Sequence, residues 1–107
     1  MNCLSEKEQR QWRYEDFVTA TSPEYILRQT AEECCELAQA ALKVIRARNG
    51  ETPMGSDAAT DALIEDIADT LLMVDIVRYA VIPKHMLDVA KVYSQKWERF
   101  KKRVLET

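Results

Sequence analysis

Two clusters of acidic side chains lie inside segments that otherwise have the composition of buried helices. The first runs from Glu32 to Glu36 and the second from Glu65 to Asp69. A carboxylate within an apolar stripe must be paired, protonated or bound to a cation, because an unpaired buried charge is costly. Oxygen ligands with almost no histidine suit Mg²⁺ or Mn²⁺, whereas zinc prefers nitrogen and sulfur. The clusters therefore indicate a site for a hard divalent cation.

Helical geometry selects four of these acids. At about 100° per residue, Glu33 falls at the edge of the apolar arc of its helix, and Glu36 follows it at i, i+3. Asp69 lies within the apolar stripe of the next helix, and Asp66 precedes it at the same spacing. Side chains three residues apart share a helix face, so each pair can converge on one point. We predict that these four carboxylates are the metal ligands. For any glutamate taken alone, a solvated surface position is the more common explanation.

The composition predicts an all-α fold. The chain has only 2 glycines and 3 prolines in 107 residues, and it is rich in strong helix formers. Its hydrophobic fraction of 47% and charged fraction of 31% are typical of a folded globular chain. The length fits one domain, which we assign to residues 1–107. The net charge of −3 gives no case for nucleic-acid binding.

Capping and breaking residues divide the chain into four helices. Ser22 followed by Pro23 is a good helix start, and Asn49-Gly50 is a good helix end. Pro83 separates the last two helices. The predicted helices are about 5–18, about 23–48, a third capped by Ser56 or Thr60 and ending near 81, and about 84–105.

The apolar patterns predict how these helices pack. The third helix is apolar on nearly every side, so it should be central, and four helices cannot easily cover it in one chain of this size. We therefore predict an obligate oligomer in which Leu71, Leu72 or Val74 meets a partner. The adjacent Cys34 and Cys35 are expected to be small buried residues. The last helix has a seam expected to face the core, which comprises Met86, Ala90, Tyr93, Trp97, Phe100 and Val104.

The sequence gives no sign of a membrane or export signal. The apolar run 71–77 contains Asp75 and is followed by Arg78, so it cannot span a bilayer. The stretch 1–10 is polar and lacks the apolar core of a signal peptide. We expect a cytoplasmic protein.

The two acidic motifs together resemble a known family. Glu32-Glu33-x-x-Glu36, a loop, and then Asp66-x-x-Asp69 are similar to the E-E-x-x-E … E-x-x-D pattern of MazG-like nucleoside triphosphate pyrophosphohydrolases. The basic ending 96–104 is similar to the closing helix of small family members, so the resemblance covers roughly 29–104. Asp66 departs from the pattern, because the family usually has Glu there. The shorter side chain could shift the metal, bind it through water, or yield its place to Glu65.

The resemblance implies a four-helix, MazG-like all-α module that assembles as an oligomer, either a homodimer or a homotetramer. It implies hydrolysis of a nucleoside triphosphate to the monophosphate and pyrophosphate with Mg²⁺, or Mn²⁺, as cofactor. Glu33, Glu36, Asp66 and Asp69 would hold the ion, which neutralises phosphate oxygens and activates water. Glu32, Glu33 and Glu36 are then the catalytic candidates, with Glu32 orienting the water or acting as base.

Several cationic and aromatic side chains are candidates for binding the substrate. Lys43 and Arg46 follow Glu36 on its side of the helix, and Lys96 and Arg99 share a face of the last helix. Most such charges are ordinary solvated ones, with one or two expected to reach phosphate. Trp12 stands where the family often contacts the base, although a core or dimer anchor explains it equally well.

Two other classes of function stay open. The first is a non-catalytic helical interaction module that kept the fold and lost efficient chemistry, for which the departure at Asp66 is the argument. The second is a nucleotide- or metal-sensing protein that uses the same carboxylates for binding only.

Overall fold

The computed structural model describes residues 5–106, except the side chains of residue 7 and residues 9–12. Within these residues the chain is built from α-helices and contains no strand, so the all-α prediction is confirmed. A π-helical turn and a 3-10 turn connect the last two α-helices. The elements are α1 (Glu6–Ala20), α2 (Pro23–Arg48), α3 (Ser56–Ile76), the π turn (Val77–Val81), the 3-10 turn (Pro83–His85) and α4 (Met86–Leu105).

The ends of α2 agree with the sequence prediction. The Ser22 hydroxyl accepts a hydrogen bond from the Tyr25 backbone N–H at 3.1 Å, and Pro23 occupies the first helical position. The helix ends at Arg48, and Gly50 has a φ of 69°, a left-handed conformation that a side chain would disfavour. These local signals are strong because each one satisfies or removes a backbone group that the helix end would leave unpaired.

The start of α3 differs from the prediction by one residue. Gly55 is the N-cap, and neither Ser56 nor Thr60 caps the helix with its side chain. The Thr60 hydroxyl instead donates to the Ser56 carbonyl at 2.8 Å, four residues back inside the helix. Ser56 is already helical, so its side chain no longer reaches the free N–H groups of the first turn.

The end of α3 also differs. The α-helix stops at Ile76 and widens into the π turn, where the Ile82 N–H donates to the Val77 carbonyl at 2.9 Å. The wider turn accompanies the burial of Tyr79, whose ring lies 5.5 Å from that of Tyr14. Pro83 then begins a single 3-10 turn, so α4 starts at Met86 rather than at residue 84.

The α2 and α3 helices pack side by side as an antiparallel hairpin joined by residues 49–55. Ala40 and Val44 of α2 and Ala59 of α3 are buried between them. Small side chains at these positions let the two backbones approach closely. The hairpin is the frame on which both acidic motifs are carried.

The main core lies at one end of this hairpin. Tyr14 of α1, Ile26 of α2, Ile76 of α3 and Tyr79 of the π turn form a buried cluster. It joins α1 and the start of α2 to the end of α3 and the π turn, about 50 residues or more further along the chain, so hydrophobic burial here fixes α1 and the π turn to the hairpin.

Met86, the first residue of the α4 seam, packs against the main core, but the rest of the seam does not face a core within the chain, contrary to the prediction. No residue of α4 is buried, and Tyr93 and Trp97 are 73% and 53% exposed. The helix packs mainly against the 3-10 turn and not along the hairpin. Cys34 and Cys35 are likewise exposed free thiols, not buried ones, because the outer face of α2 has no covering helix in the single chain.

None of the helices in the described part of the chain combines the length and the apolar character that a bilayer crossing requires.

Candidate metal site

The antiparallel hairpin brings acids from both motifs together. Glu33 of α2 and Asp66 and Asp69 of α3 each offer one carboxylate oxygen, and these oxygens lie within 4.8 Å of one another. Ligands on opposite sides of one Mg²⁺ are separated by about 4.2 Å. Small side-chain movements would therefore let all three carboxylates contact one ion.

Glu33 lies at the centre of this group, which we call the acidic cluster: Glu33, Glu36, Asp66 and Asp69. Its side chain is half-buried, and its Oε2 atom is buried without a hydrogen-bond donor. Ionised carboxylates only accept hydrogen bonds, so its acidic neighbours cannot satisfy this oxygen while all of them are charged. A buried oxygen that lacks a donor is a fitting ligand for a cation.

The electrostatics of the acidic cluster also favour a bound cation. Partial burial of Glu33 raises the pKa of its carboxyl above the ordinary value, and the negative charges of Glu36, Asp69 and Asp66 raise it further. A side-chain hydrogen bond with Glu36 adds to the rise in pKa, because only the protonated Glu33 carboxyl can donate to the Glu36 carboxylate. A divalent cation would relieve this repulsion, whereas without one a proton relieves it.

We predict that the stability of the metal-free protein depends on pH through Glu33. The raised pKa means that the folded chain binds this proton more tightly than the unfolded chain does. The resulting stability is fully present below the ordinary glutamate pKa and is lost as pH rises through the raised pKa. Melting temperatures of wild type and Glu33→Gln in EDTA, taken from about pH 4 to about pH 8, should diverge with the variant increasingly favoured. A difference that stays constant over this range would contradict the assignment.

Thr70 is a functional candidate that the sequence prediction missed. It is a buried polar residue of α3, and its hydroxyl donates to the backbone carbonyl of Glu33 at 3.3 Å. This bond links the two helices at the level of the acidic cluster, next to Asp69. A threonine within an apolar helix was the available signal, but its partner lies 37 residues away and only the folded hairpin reveals it.

Replacing Thr70 with Val should loosen this link without changing the side-chain volume. We expect a loss of about 1 kcal/mol in the free energy of unfolding. We also expect roughly 10-fold weaker Mg²⁺ binding, because the bond that holds the backbone of Glu33 against α3 has been removed. Urea denaturation and Mg²⁺ titration measure the two effects. Thr70→Ser keeps the hydroxyl and should retain the affinity, whereas equal losses in both variants would mean that the hydroxyl does not matter.

The remaining acids divide into two groups. Glu36 is exposed and acts electrostatically on Glu33, so it stands beside the three converging carboxylates. Glu32 and Glu65 are exposed, and neither is among the converging ligands found in the described residues. Among the described residues, Asp66 and not Glu65 lies with Glu33 and Asp69.

The predicted cations lie apart from the cluster. Lys43 and Arg46 line a small cavity of about 130 Å³ with Thr52 and Met54, at the carboxyl end of α2. Lys43 follows Glu36 by seven residues, about 10 Å along the helix axis. Both cations are therefore candidates for binding the far end of an extended ligand whose other end lies at the acidic cluster.

Lys96 and Arg99 belong to α4, which packs mainly against the 3-10 turn. Lys96 lines surface grooves of that helix together with Tyr93. Within one chain, neither residue is brought to the hairpin by the packing of its helix. The side chain of Trp12 lies outside those that the structure describes, so its predicted role in base stacking stays a prediction.

Comparison of the chain with protein-family models, with curated proteins and with solved structures finds no match.

Proposed function

We propose that the protein is a Mg²⁺-dependent nucleoside triphosphate pyrophosphohydrolase of the MazG-like kind. The observation that carries this proposal is the convergence of Glu33, Asp66 and Asp69 from two antiparallel helices. These residues belong to the E-E-x-x-E and D-x-x-D motifs on which the resemblance rests. The proposed reaction converts an NTP or dNTP and water into the monophosphate and pyrophosphate.

The residues present suit the proposed metal. The donors are all carboxylate oxygens, and the Oε2 atom of Glu33 is buried without a hydrogen-bond partner. Glu33, Asp66 and Asp69 would hold the ion, with Glu36 beside them. When bound, Mg²⁺ supplies charge neutralisation of the phosphate oxygens and a lowered pKa of coordinated water. Mn²⁺ has similar preferences for oxygen ligands and is the natural alternative.

The proposal gives the other residues distinct tasks. Asp69 and Glu36 are exposed, so a substrate can approach the open side of the cluster from solvent. Glu32 and Glu36 are the candidates for accepting the proton of the attacking water, since they lie on the exposed part of the same helix. Lys43 and Arg46 are proposed to bind the phosphate chain beyond the cluster by charge-assisted hydrogen bonds.

The proposal is tested by incubating the protein with a panel of ribo- and deoxyribonucleoside triphosphates and Mg²⁺. Formation of monophosphate and pyrophosphate in equal amounts supports it. Release of inorganic phosphate and a diphosphate would indicate a different bond cleavage. Absence of product with every nucleotide at high protein concentration would reject the catalytic proposal.

A second candidate is a nucleotide- or metal-sensing module without turnover. It is favoured by Asp66, which is one methylene shorter than the Glu of the family pattern. Calorimetric titration with Mg²⁺ and with a non-hydrolysable triphosphate separates the two candidates. Saturable binding without product formation supports the sensor, and binding with turnover supports the enzyme.

A further inference from the structure

The seam of α4 is an exposed apolar surface. Four of its six residues, Tyr93, Trp97, Phe100 and Val104, are between 48% and 73% exposed. The Trp97 and Phe100 rings stack with their centroids 6.2 Å apart. Two open grooves of about 450 and 310 Å³ lie along the seam and its Lys96 edge. A contiguous apolar patch with polar residues at its border marks a binding surface.

Helix α4 stands away from the rest of the chain. It has 20 residues, so it is about 30 Å long, and it packs mainly against the 3-10 turn. The radius of gyration is 17.6 Å, against about 13 Å for a compact domain of this length, which agrees with a projecting helix. Beyond Met86, the seam is therefore open to a broad and flat partner.

Basic side chains border the seam on both edges. Helical geometry places Lys96 and Arg103 along one edge and Lys101 along the other. The Arg103 guanidinium lies 6.0 Å from the centre of the Phe100 ring, and the Lys101 ammonium, which also pairs with the exposed Glu98, lies 5.9 Å from that of a Trp97 ring. Lysine and arginine stems can stay against an apolar layer while their charged ends reach outward to anionic groups.

Positive charge is concentrated on this helix. In α4, six basic residues and two acidic ones give a net charge of +4, which leaves −7 on the rest of the chain. In α3, six acidic residues and no basic one give −6. The basic helix is therefore complementary to an anionic surface. Repulsion of the acidic hairpin by the same surface would fix which side of the molecule faces it.

The pattern of α4 is that of a helix that lies on a membrane. Such helices have Trp, Phe or Leu on one side and Lys or Arg around it, and they lie in the plane of the bilayer without crossing it. Trp97 and Tyr93 have apolar rings with a polar N–H or O–H, the side chains enriched between headgroups and acyl chains. A protein partner must match the shape of the seam, whereas a bilayer requires only a continuous apolar side with basic borders.

We propose that α4 lies on the surface of an anionic lipid bilayer, with its seam facing the lipid. Tyr93, Trp97 and Phe100 enter the boundary between headgroups and acyl chains, and Lys96 and Arg103 bind lipid phosphates. The acidic hairpin is held toward water. This surface is separate from the acidic cluster, so the proposal does not depend on the proposed hydrolysis.

Co-sedimentation of the full chain with lipid vesicles tests the proposal. Wild type should bind phosphatidylcholine vesicles that contain about one third phosphatidylglycerol roughly 100-fold more tightly than vesicles of phosphatidylcholine alone. Raising the salt from about 0.1 M to about 0.5 M should weaken binding to the anionic vesicles by roughly 10-fold, because salt screens the charges. Wild type that stays in the supernatant with anionic vesicles at the lower salt concentration overturns the proposal.

Two variants distinguish the seam from net charge. Lys96→Gln/Arg103→Gln should bind the anionic vesicles roughly 20-fold more weakly than wild type. The matched control, Lys91→Gln/Lys102→Gln, removes the same charge from the side of α4 opposite the seam and should lose less than about 3-fold. Equal losses in the two variants would mean that the chain binds through its overall charge and not through the seam, which contradicts the proposal.

The apolar contribution is tested by Trp97→Ala, which should weaken binding to the anionic vesicles by roughly 10-fold or more. Trp97 is 53% exposed, so the helical fold, checked by circular dichroism, should survive. Unchanged vesicle binding by this variant would overturn insertion of the seam. Wild type that ignores vesicles, but whose mass in analytical ultracentrifugation falls on Trp97→Ala, would assign the seam to a protein interface instead.

Discussion

Glu33→Gln should remove the stabilisation of the protein by Mg²⁺ and lower nucleotide hydrolysis by roughly 100-fold or more. Glu33 is half-buried, has an oxygen without a donor, and lies within reach of Asp66 and Asp69. The amide keeps the shape of the side chain but is a weaker ligand and carries no charge. In EDTA the variant should melt at a higher temperature than wild type at neutral pH, because one member of a repelling cluster has become neutral.

A higher melting temperature in EDTA, combined with a lost response to Mg²⁺, distinguishes a metal ligand from a residue that only packs. A residue needed only for the fold would lower the melting temperature when replaced, with or without metal. The measurement is thermal unfolding of wild type and variant in EDTA and in Mg²⁺, together with the rate of pyrophosphate release. Glu51→Gln is the matched control, because it makes the same change at an exposed position in the loop after α2 and should leave both readouts unchanged. A Glu33→Gln variant that still responds fully to Mg²⁺ would show that the metal binds elsewhere.

Ile26→Ala should produce the largest loss of stability. Ile26 is fully buried and is a member of the cluster with Tyr14, Ile76 and Tyr79. Removing three buried carbons and leaving a cavity is expected to cost about 3 kcal/mol. Small domains have only about 5–15 kcal/mol of stability in total. The melting temperature should therefore fall by roughly 10 °C or more.

Urea denaturation at one fixed protein concentration measures this change, since association would make stability concentration-dependent. Leu87→Ala is the control: Leu87 is 86% exposed on α4 and lies to the side of the seam. Its replacement should change the free energy of unfolding by less than about 0.5 kcal/mol. Similar effects of the two substitutions would mean that the cluster around Ile26 is not the core that holds α1 and the π turn to the hairpin.

The helix boundaries could be predicted where the signal is local. Ser22, Pro23 and Gly50 each act on backbone groups within a few residues, so the limits of α2 were predicted correctly. The end of α3 was not predictable in this way. Its change to a π turn accompanies the packing of Tyr79 on Tyr14, a residue 65 positions earlier in the chain. Nothing near Ile76 in the sequence encodes that contact.

The candidate site was likewise predictable from local signals only in part. The i, i+3 spacing within each motif and the choice of the four acids of the cluster are properties of single helices, and the sequence alone was enough to select them. Which of the four converge most closely depends on how α2 and α3 are aligned. That alignment brings Glu33 to Asp66 and Asp69 and places the Thr70 hydroxyl on the Glu33 carbonyl.

The sequence by itself determined the helical class, the ends of α2 and the two acidic motifs, because capping and periodicity act over one or two helical turns. Only the tertiary structure decided that Asp66 rather than Glu65 faces Glu33, that Thr70 links the helices, and that the α4 seam is exposed. An apolar stripe reports that a helix face is suited to burial, but it does not identify what buries it. For α4 the periodicity is real, but within one chain only Met86, at its start, packs against the core.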